Sequence, residues 1–362
     1  MKRPGLKKIL RRWFTLPLLA ILLFLLTLVF SKNPFLTEIV YFQRIYPVFA
    51  TVISFISSVF PFSLDDFFYL TLFLSAILSV VIIIFHKKHR MHAVKILVNL
   101  VAGFYILFYL LWGFNYYRPG LNVRTGMKES KPDTEEFKRV LSLIVERTNQ
   151  NYCIFDDFSV AETDSLVEAG YRQMAGILKI NYPNGKRRPK PVTFSRFFAR
   201  AGISGYFGPF FNEIHMNRHI LPVEYPFVLA HEKAHQFGVT SEAEGNFMAW
   251  LVCSRSSSEK LRYSAYIQAL QSFLYQGSLS GITPEALNQL DKRVKTDILG
   301  IYNHWKELRN EQIDKATSKV YDTYLKSNKV ENGIDDYYGI VKFIMDFSYD
   351  AEFNQKVDAQ RR

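Results

Sequence analysis

Residues 231–235 read His-Glu-Lys-Ala-His. On a helix, positions i and i+4 lie one above the other on one face. The imidazoles of His231 and His235 can therefore converge on one zinc ion at roughly 2.0–2.1 Å each. Glu232 sits one residue further round, placed to accept a proton from a water whose acidity the ion has raised. That is the chemical content of the HExxH spacing. The competing interpretation is a solvent-facing helix with two ordinary histidines. Against it, Tyr225 to Ala230 is apolar and Pro226 suits a first helical turn. The motif thus opens on a buried helix, where histidines without a ligand need other partners.

A zinc site of this kind needs a third protein ligand and an open position. Gly238 predicts the end of the first helix. Ser241 predicts the cap of the next, and Glu244, three residues on, completes a Ser-x-x-Glu capping box. Glu242, at the first helical position, is left to point back at the ion, with Glu244 as the alternative ligand. Asn246 lies four residues after Glu242 on the same face, from where it can hydrogen-bond a ligand histidine. Gly245 removes a side chain where the two helices must approach.

HExxH followed by Glu-x-x-[small]-[Asp/Asn] resembles the gluzincin metallopeptidases. The longer run HEKAHQFGVTSEAEGNFMAWLVC resembles a bacterial membrane family known as domain of unknown function 3810. That family has three N-terminal spans and a Gly-Phe-rich segment ahead of HExxH, here GISGYFGPFFNEIHMN (Gly202 to Asn217). The resemblance extends over most of the chain. It implies a zincin-like fold, zinc held by His231, His235 and Glu242, Glu232 as general base, and Asn246 supporting a histidine. Two positions depart from the pattern: Gly245 stands where Ala is usual, and the connector of six residues between His235 and Glu242 is shorter than in well-known gluzincins. The resemblance also implies substrate bound along an edge strand, for which Phe211 to Asn217 is the candidate; the competing reading is a buried strand with Phe210 and Phe211 in the core. It further implies a Tyr or His that stabilises an oxyanion. Tyr338, in NGIDDYYG, is preferred over Tyr324 and His304. His215 and His219, which flank the candidate strand, are read as core or surface residues.

The elements that must position these residues follow a membrane module. Three stretches are long and apolar enough to span a bilayer, at about 13–30, 67–85 and 96–114. No small-residue cleavage site follows the first, which reads as an uncleaved anchor. Residues 43–60 are apolar but broken by Pro47 and several Ser and Thr, and read as an interfacial or re-entrant helix. The first 114 residues carry 12 Lys/Arg and three acids, so most of the formal net charge of +12 lies beside apolar segments. That pattern sets orientation and is no nucleic-acid footprint. No basic stripe interleaved with aromatics stands out in the second part. Clusters at Lys2–Arg12 and at Lys87, Lys88, Arg90 and Lys95 predict an inside N-terminus, with 115–362 outside a bacterial cytoplasmic membrane.

The second part is expected to be mainly helical, an α+β zincin-like domain with a small sheet before the HExxH helix. Its two cysteines, Cys153 and Cys253, are either one bridge or two small buried residues. The leading functional expectation is a multi-pass, membrane-anchored zinc-dependent hydrolase of peptide or protein substrates, with no nucleic-acid partner. Because the motif lies well beyond Phe114 and contains Lys233, it is not an intramembrane protease site. The alternative is a receptor or scaffold with a structural zinc or an empty HExxH helix. Such a protein has no use for Glu232 as a base.

Overall fold

The computed structural model describes residues 13–182, 185, 187–279, 281, 283–328, 330 and 332–360. The basic cluster Lys2–Arg12, one of the two on which the expected orientation rests, lies outside them. The chain is mainly helical with one small sheet. It divides into two compact units. One runs to Arg118 and takes back Gly208–Glu213; the other is Pro119–Phe207 with Ile214 onward. The boundary thus falls at Arg118, slightly beyond the expected 114, and the return of a short internal loop to the first unit was not foreseen.

Among the described residues of the first unit, four helices are long and apolar enough to cross a membrane: α1 (Thr15–Lys32), α2 (Pro34–Ser58), α3 (Leu64–Phe85) and α4 (Lys87–Leu111). Helices α1, α3 and α4 cover the three expected spans. The fourth, α2, takes in the irregular segment 43–60. It is π-helical over Thr37–Ile45 and has the lowest mean hydropathy of the four, 1.5. Large apolar side chains on α1 and α3 stand exposed along their length, among them Leu18, Leu22, Leu25, Phe67, Leu74 and Leu78. A water-soluble surface does not carry apolar area on that scale, and lipid contact accounts for it. Ser63 caps α3 by accepting from the Asp66 N–H.

The loop Gly208–Glu213 is bonded to the start of α3. Glu213 Oε2 accepts from the Leu64 N–H at 2.9 Å, the Asp65 N–H at 3.1 Å and the Ser63 hydroxyl at 3.3 Å. An acid on the free N–H groups of a helix start is favoured both by hydrogen bonding and by the helix dipole. Asp65 answers in the other direction, accepting from the Phe210 and Phe211 N–H groups at 3.2 Å each. Asn212 donates to the Ala50 carbonyl and the Ser54 hydroxyl of α2. Phe210 packs on Phe68, Tyr69 and Phe104. Only glycine fits at 208, because a Cβ there would stand 2.3 Å from Asp65 Oδ2.

The second unit begins with α5 (Leu121–Thr125), α6 (Thr134–Gln150) and α7 (Val160–Leu178). Strand β1 (Lys190–Pro191), the short helix α8 (Ser195–Arg200), β2 (Gly205–Gly208) and β3 (Glu213–Met216) follow. The sheet order is β1-β3-β2, with β1 parallel to β3 in the register Lys190 with His215. The buried central strand is therefore β3, which corrects the expectation of an edge strand at Phe211–Asn217. The two edge positions belong to β1 and β2. Next come α9 (Tyr225–Gln236), α10 (Glu242–Ser254), α11 (Glu259–Leu279), α12 (Thr283–Gln289), α13 (Lys292–Leu308) and α14 (Glu311–Ser327). A 3₁₀ turn at Gly333–Gly339, α15 (Ile340–Tyr349) and α16 (Ala351–Ala359) complete the unit. Every residue of α10, and all of α9 but Val228, is buried. Helices buried on all sides form the middle of a core, and the HExxH motif lies there. Cys153 and Cys253 are separate buried thiols.

Candidate metal centre

Helix α9 carries Pro in its first turn, as expected, and ends at Gly238, whose φ of +82° favours glycine. The Val239 N–H bonds back to the Ala234 carbonyl, which turns the chain sharply into α10. Ser241 caps α10 by accepting from the Glu244 N–H at 3.3 Å. Asp336, from the 3₁₀ turn, accepts from the Ser241 hydroxyl at 2.8 Å and the Ala243 N–H at 3.1 Å. The start of α10 is thus fixed from two sides.

This fixation brings three predicted ligands together. His231 Nε2 and His235 Nε2 are 3.0 Å apart. Glu242 Oε2 stands 3.0 Å from the first and 3.4 Å from the second. All three residues are buried. Tetrahedral coordination with bonds of 2.0–2.1 Å puts ligand atoms about 3.3 Å apart, so the three atoms are spaced as three corners around one zinc ion. Glu242 Oε2 has no hydrogen-bond partner among the described residues. A buried carboxylate oxygen without a donor is costly, and a cation shared with the two imidazoles removes that cost. The donor set, two imidazoles and a carboxylate, suits zinc.

The surroundings orient the ligands. His235 Nδ1 faces the Val239 carbonyl at 2.8 Å. A carbonyl only accepts, so Nδ1 carries the proton there and Nε2 is directed at the cluster. Tyr321 of α14 donates to Glu242 Oε1, which leaves Oε2 for the cluster. Gly245 leaves room where α10 crosses α9: a Cβ there would sit 3.1 Å from the His231 ring, a tight contact. Burial lowers the pKa of His235, but the charge of nearby Glu242 prevails and pushes it up to about 9. Burial works the opposite way on Glu242, and the two histidines hold it well below its usual range.

Glu232 lies beside this cluster, 5% exposed. Burial raises its pKa, the two histidines oppose that, and Glu242 adds to it, with a net rise. Strand β2 runs directly past it: a Cβ on Gly205 would be 3.1 Å from Glu232 Oε1. Lys233 points the other way, to a fully buried position. Its ammonium pairs with Asp164 at 2.8 Å and with Glu168, both of α7. Arg187 reinforces Glu168 at 3.2 Å.

The remaining predicted residues fall differently. Asn246 donates to the Tyr337 carbonyl at 3.0 Å and so fastens the 3₁₀ turn, where a bond to a histidine was expected. Tyr338 stacks on Tyr275 at 4.1 Å and is 39% exposed. Its neighbour Tyr337 is the one that meets the cluster, its ring 6.0 Å from that of His231. Burial, then the charges of Glu242 and Glu232, raise the Tyr337 pKa well above the ordinary tyrosine value. His304 is bonded to the His219 carbonyl, and Tyr324 lies beside Tyr321. Glu244, the alternative ligand, accepts from the Leu121 N–H at 2.8 Å and pairs with Arg124 at 2.6 Å, anchoring α5. Only half of the capping box forms, because the Glu244 carboxylate is drawn to that guanidinium and not back to residue 241.

The model of one protein family, described as Protein of unknown function (DUF3810), matches residues 41–345. No curated protein and no solved structure matches the chain.

Proposed function

Since the chain belongs to the DUF3810 family, we propose for it a membrane-anchored, zinc-dependent, gluzincin-like peptide hydrolase acting at the outer face of the bacterial cytoplasmic membrane. The observation that carries this reading is the convergence of His231 Nε2, His235 Nε2 and Glu242 Oε2 at 3.0–3.4 Å, with buried Glu232 alongside. The ion supplies Lewis acidity towards water and towards a peptide carbonyl. Glu232 accepts the proton that the attacking water gives up and delivers it to the leaving amine. Burial, which raises its pKa, suits it to hold that proton between the two steps. Strand β2 offers its edge to an extended substrate beside Glu232, and Tyr337 stands at the cluster as a donor for developing negative charge. A purely structural zinc gives no reason for a buried carboxylate next to a sheet edge.

The outward orientation draws support from the first unit. Arg118, just past the end of α4, pairs with Glu38, near the start of α2, at 2.7 Å. The Tyr41 hydroxyl donates to the Leu110 carbonyl. The start of α2 is therefore level with the end of α4. Asn212 bonds α2 at Ala50 and Ser54, while Glu213, next in sequence, caps α3 at its start. The later part of α2 is thus linked to the loop that caps the start of α3, and we read α1, α3 and α4 as the three crossings. With the basic residues around Lys87–Lys95 inside, the second unit is outside.

The test is metal analysis of the purified full-length chain beside His235→Ala. We expect about one zinc per chain in the first and almost none in the second. Equal metal in both would sink the assignment. Tyr321→Phe removes the hydroxyl that fixes Glu242 and should weaken zinc binding about 10–100-fold, read by competition with a chromogenic chelator. Unchanged affinity would make Tyr321 a packing residue.

A further inference from the structure

The second unit carries a surface that the metal site does not use. Helix α8 presents Phe194, its capping residue, and Phe197 to the outside, 50% and 53% exposed. The helix is held rigidly behind them. Ser195 and Ala199 are buried, and Phe198 stacks on Tyr206 of β2, which stacks on His215 of β3. Gly202, at φ +71°, ends the turn that follows. Arg196 and Arg200 are exposed on α8 itself. Arg218 is fastened alongside, its N–H on the Ser195 hydroxyl at 3.5 Å and its neighbour Asn217 on the Ser195 carbonyl at 3.1 Å. None of these three arginines makes an ion pair among the described residues. The surrounding sequence is one-sided: between Glu168 and Glu213 there is no acidic residue and there are eight Lys/Arg.

We propose that this patch docks on the membrane surface, with anionic phospholipid as its partner. Exposed phenylalanines bury themselves at the acyl boundary, and arginines around them bind the phosphates. The occupant follows from continuity as well as charge. The chain enters the first unit at Gly208, eight residues after Arg200, a reach of at most about 29 Å. The Gly208–Glu213 loop is bonded at the start of α3, the bundle end proposed above to face outward. Phe194 and Phe197 lie 14 and 11 residues before Gly208 along the chain. Nucleic acid is a poorer fit, because the patch is a few residues across and shows no stripe that tracks a backbone.

The proposal rests on the membrane reading of α1, α3 and α4 and not on the metal. The full-length chain is placed in lipid nanodiscs with nitroxide probes on Phe194→Cys and Phe197→Cys. The control is Ile154→Cys, which is 64% exposed and lies beside Asp156 and Asp157. With anionic lipid, the first two probes should be accessible to oxygen and shielded from a water-soluble nickel complex, and the control should show the reverse. Adding Arg196→Glu and Arg200→Glu should return the probes to water. Probes at 194 and 197 as open to nickel as the control would overturn the proposal. So would shielding that persists unchanged in detergent, which would mean that protein covers the patch. Failure of the chain to enter nanodiscs would strike the membrane reading itself, and this proposal with it.

Discussion

Under the proposed function, Glu232→Gln is expected to retain metal and to lose peptide hydrolysis by about 10²–10⁴-fold, the usual worth of a positioned general base. The substitution preserves size and hydrogen-bonding shape, and Glu232 is not among the three atoms that converge at 3.0–3.4 Å. The amide cannot take a proton from water or hand one to the leaving amine. Two measurements on one preparation decide the matter: metal content and turnover of a mixed peptide library. Full metal with no turnover supports the base assignment. Full metal with undiminished turnover removes Glu232 from the chemistry, and loss of metal would make it a ligand. A scaffold, by contrast, shows no turnover in either protein.

Lys233→Ala should be the most damaging single change to stability on α9, costing about 3–5 kcal/mol. The residue is fully buried, and its ammonium is shared by Asp164 and Glu168. Burial raises the pKa of both acids. At Glu168 the attraction of Lys233 and Arg187 prevails and leaves the carboxyl below its usual range, while at Asp164 burial prevails. Without Lys233, Glu168 keeps Arg187, but Asp164 is left next to a cavity with a charge it cannot hold. Its neutralisation with rising stability cost follows the same sign as any acid whose partner is lost. Thermal unfolding of the solubilised variant reads the loss, and Asp164→Asn in the same background should recover part of it. A melting temperature equal to the parent's would show that the cluster contributes nothing net.

The core of the metal centre was legible because its logic is local. The i, i+4 spacing, the glycine stop and the serine cap lie within sixteen residues, His231 to Asn246, and they fix where His231, His235 and Glu242 must meet. What surrounds that core comes from far along the chain. Tyr321 and Asp336 reach α10 from about eighty to ninety-five residues away, and no spacing rule announces them. Tyr338 missed by one position: in a 3₁₀ turn, adjacent side chains diverge by about 120°, so Tyr337 turns inward and its neighbour outward. Asn246 was placed on the correct helix face, but its amide meets a backbone carbonyl of that turn. The three apolar spans were evident from composition. The helix over the irregular stretch was not, since Pro47, just past the π-helical segment, and the interspersed serines do not forbid helix when neighbouring helices satisfy the backbone. The acid-free run before Glu213 is visible in the sequence, whereas which of its phenylalanines face outward is decided only by packing.

The clasp between Asp65, Glu213 and the loop that bears Glu213 has a consequence for how the protein is made. The receiving end of α3 is synthesised some 145 residues before the loop that closes on it. The helices of the first unit precede β2 and β3 in synthesis, so on the membrane reading proposed above their loop-binding end is made before the segment it receives. Strand β2, the wall next to Glu232, is continuous with that loop. On that reading, a chain that never reaches a membrane leaves Phe210 and Phe211 uncovered.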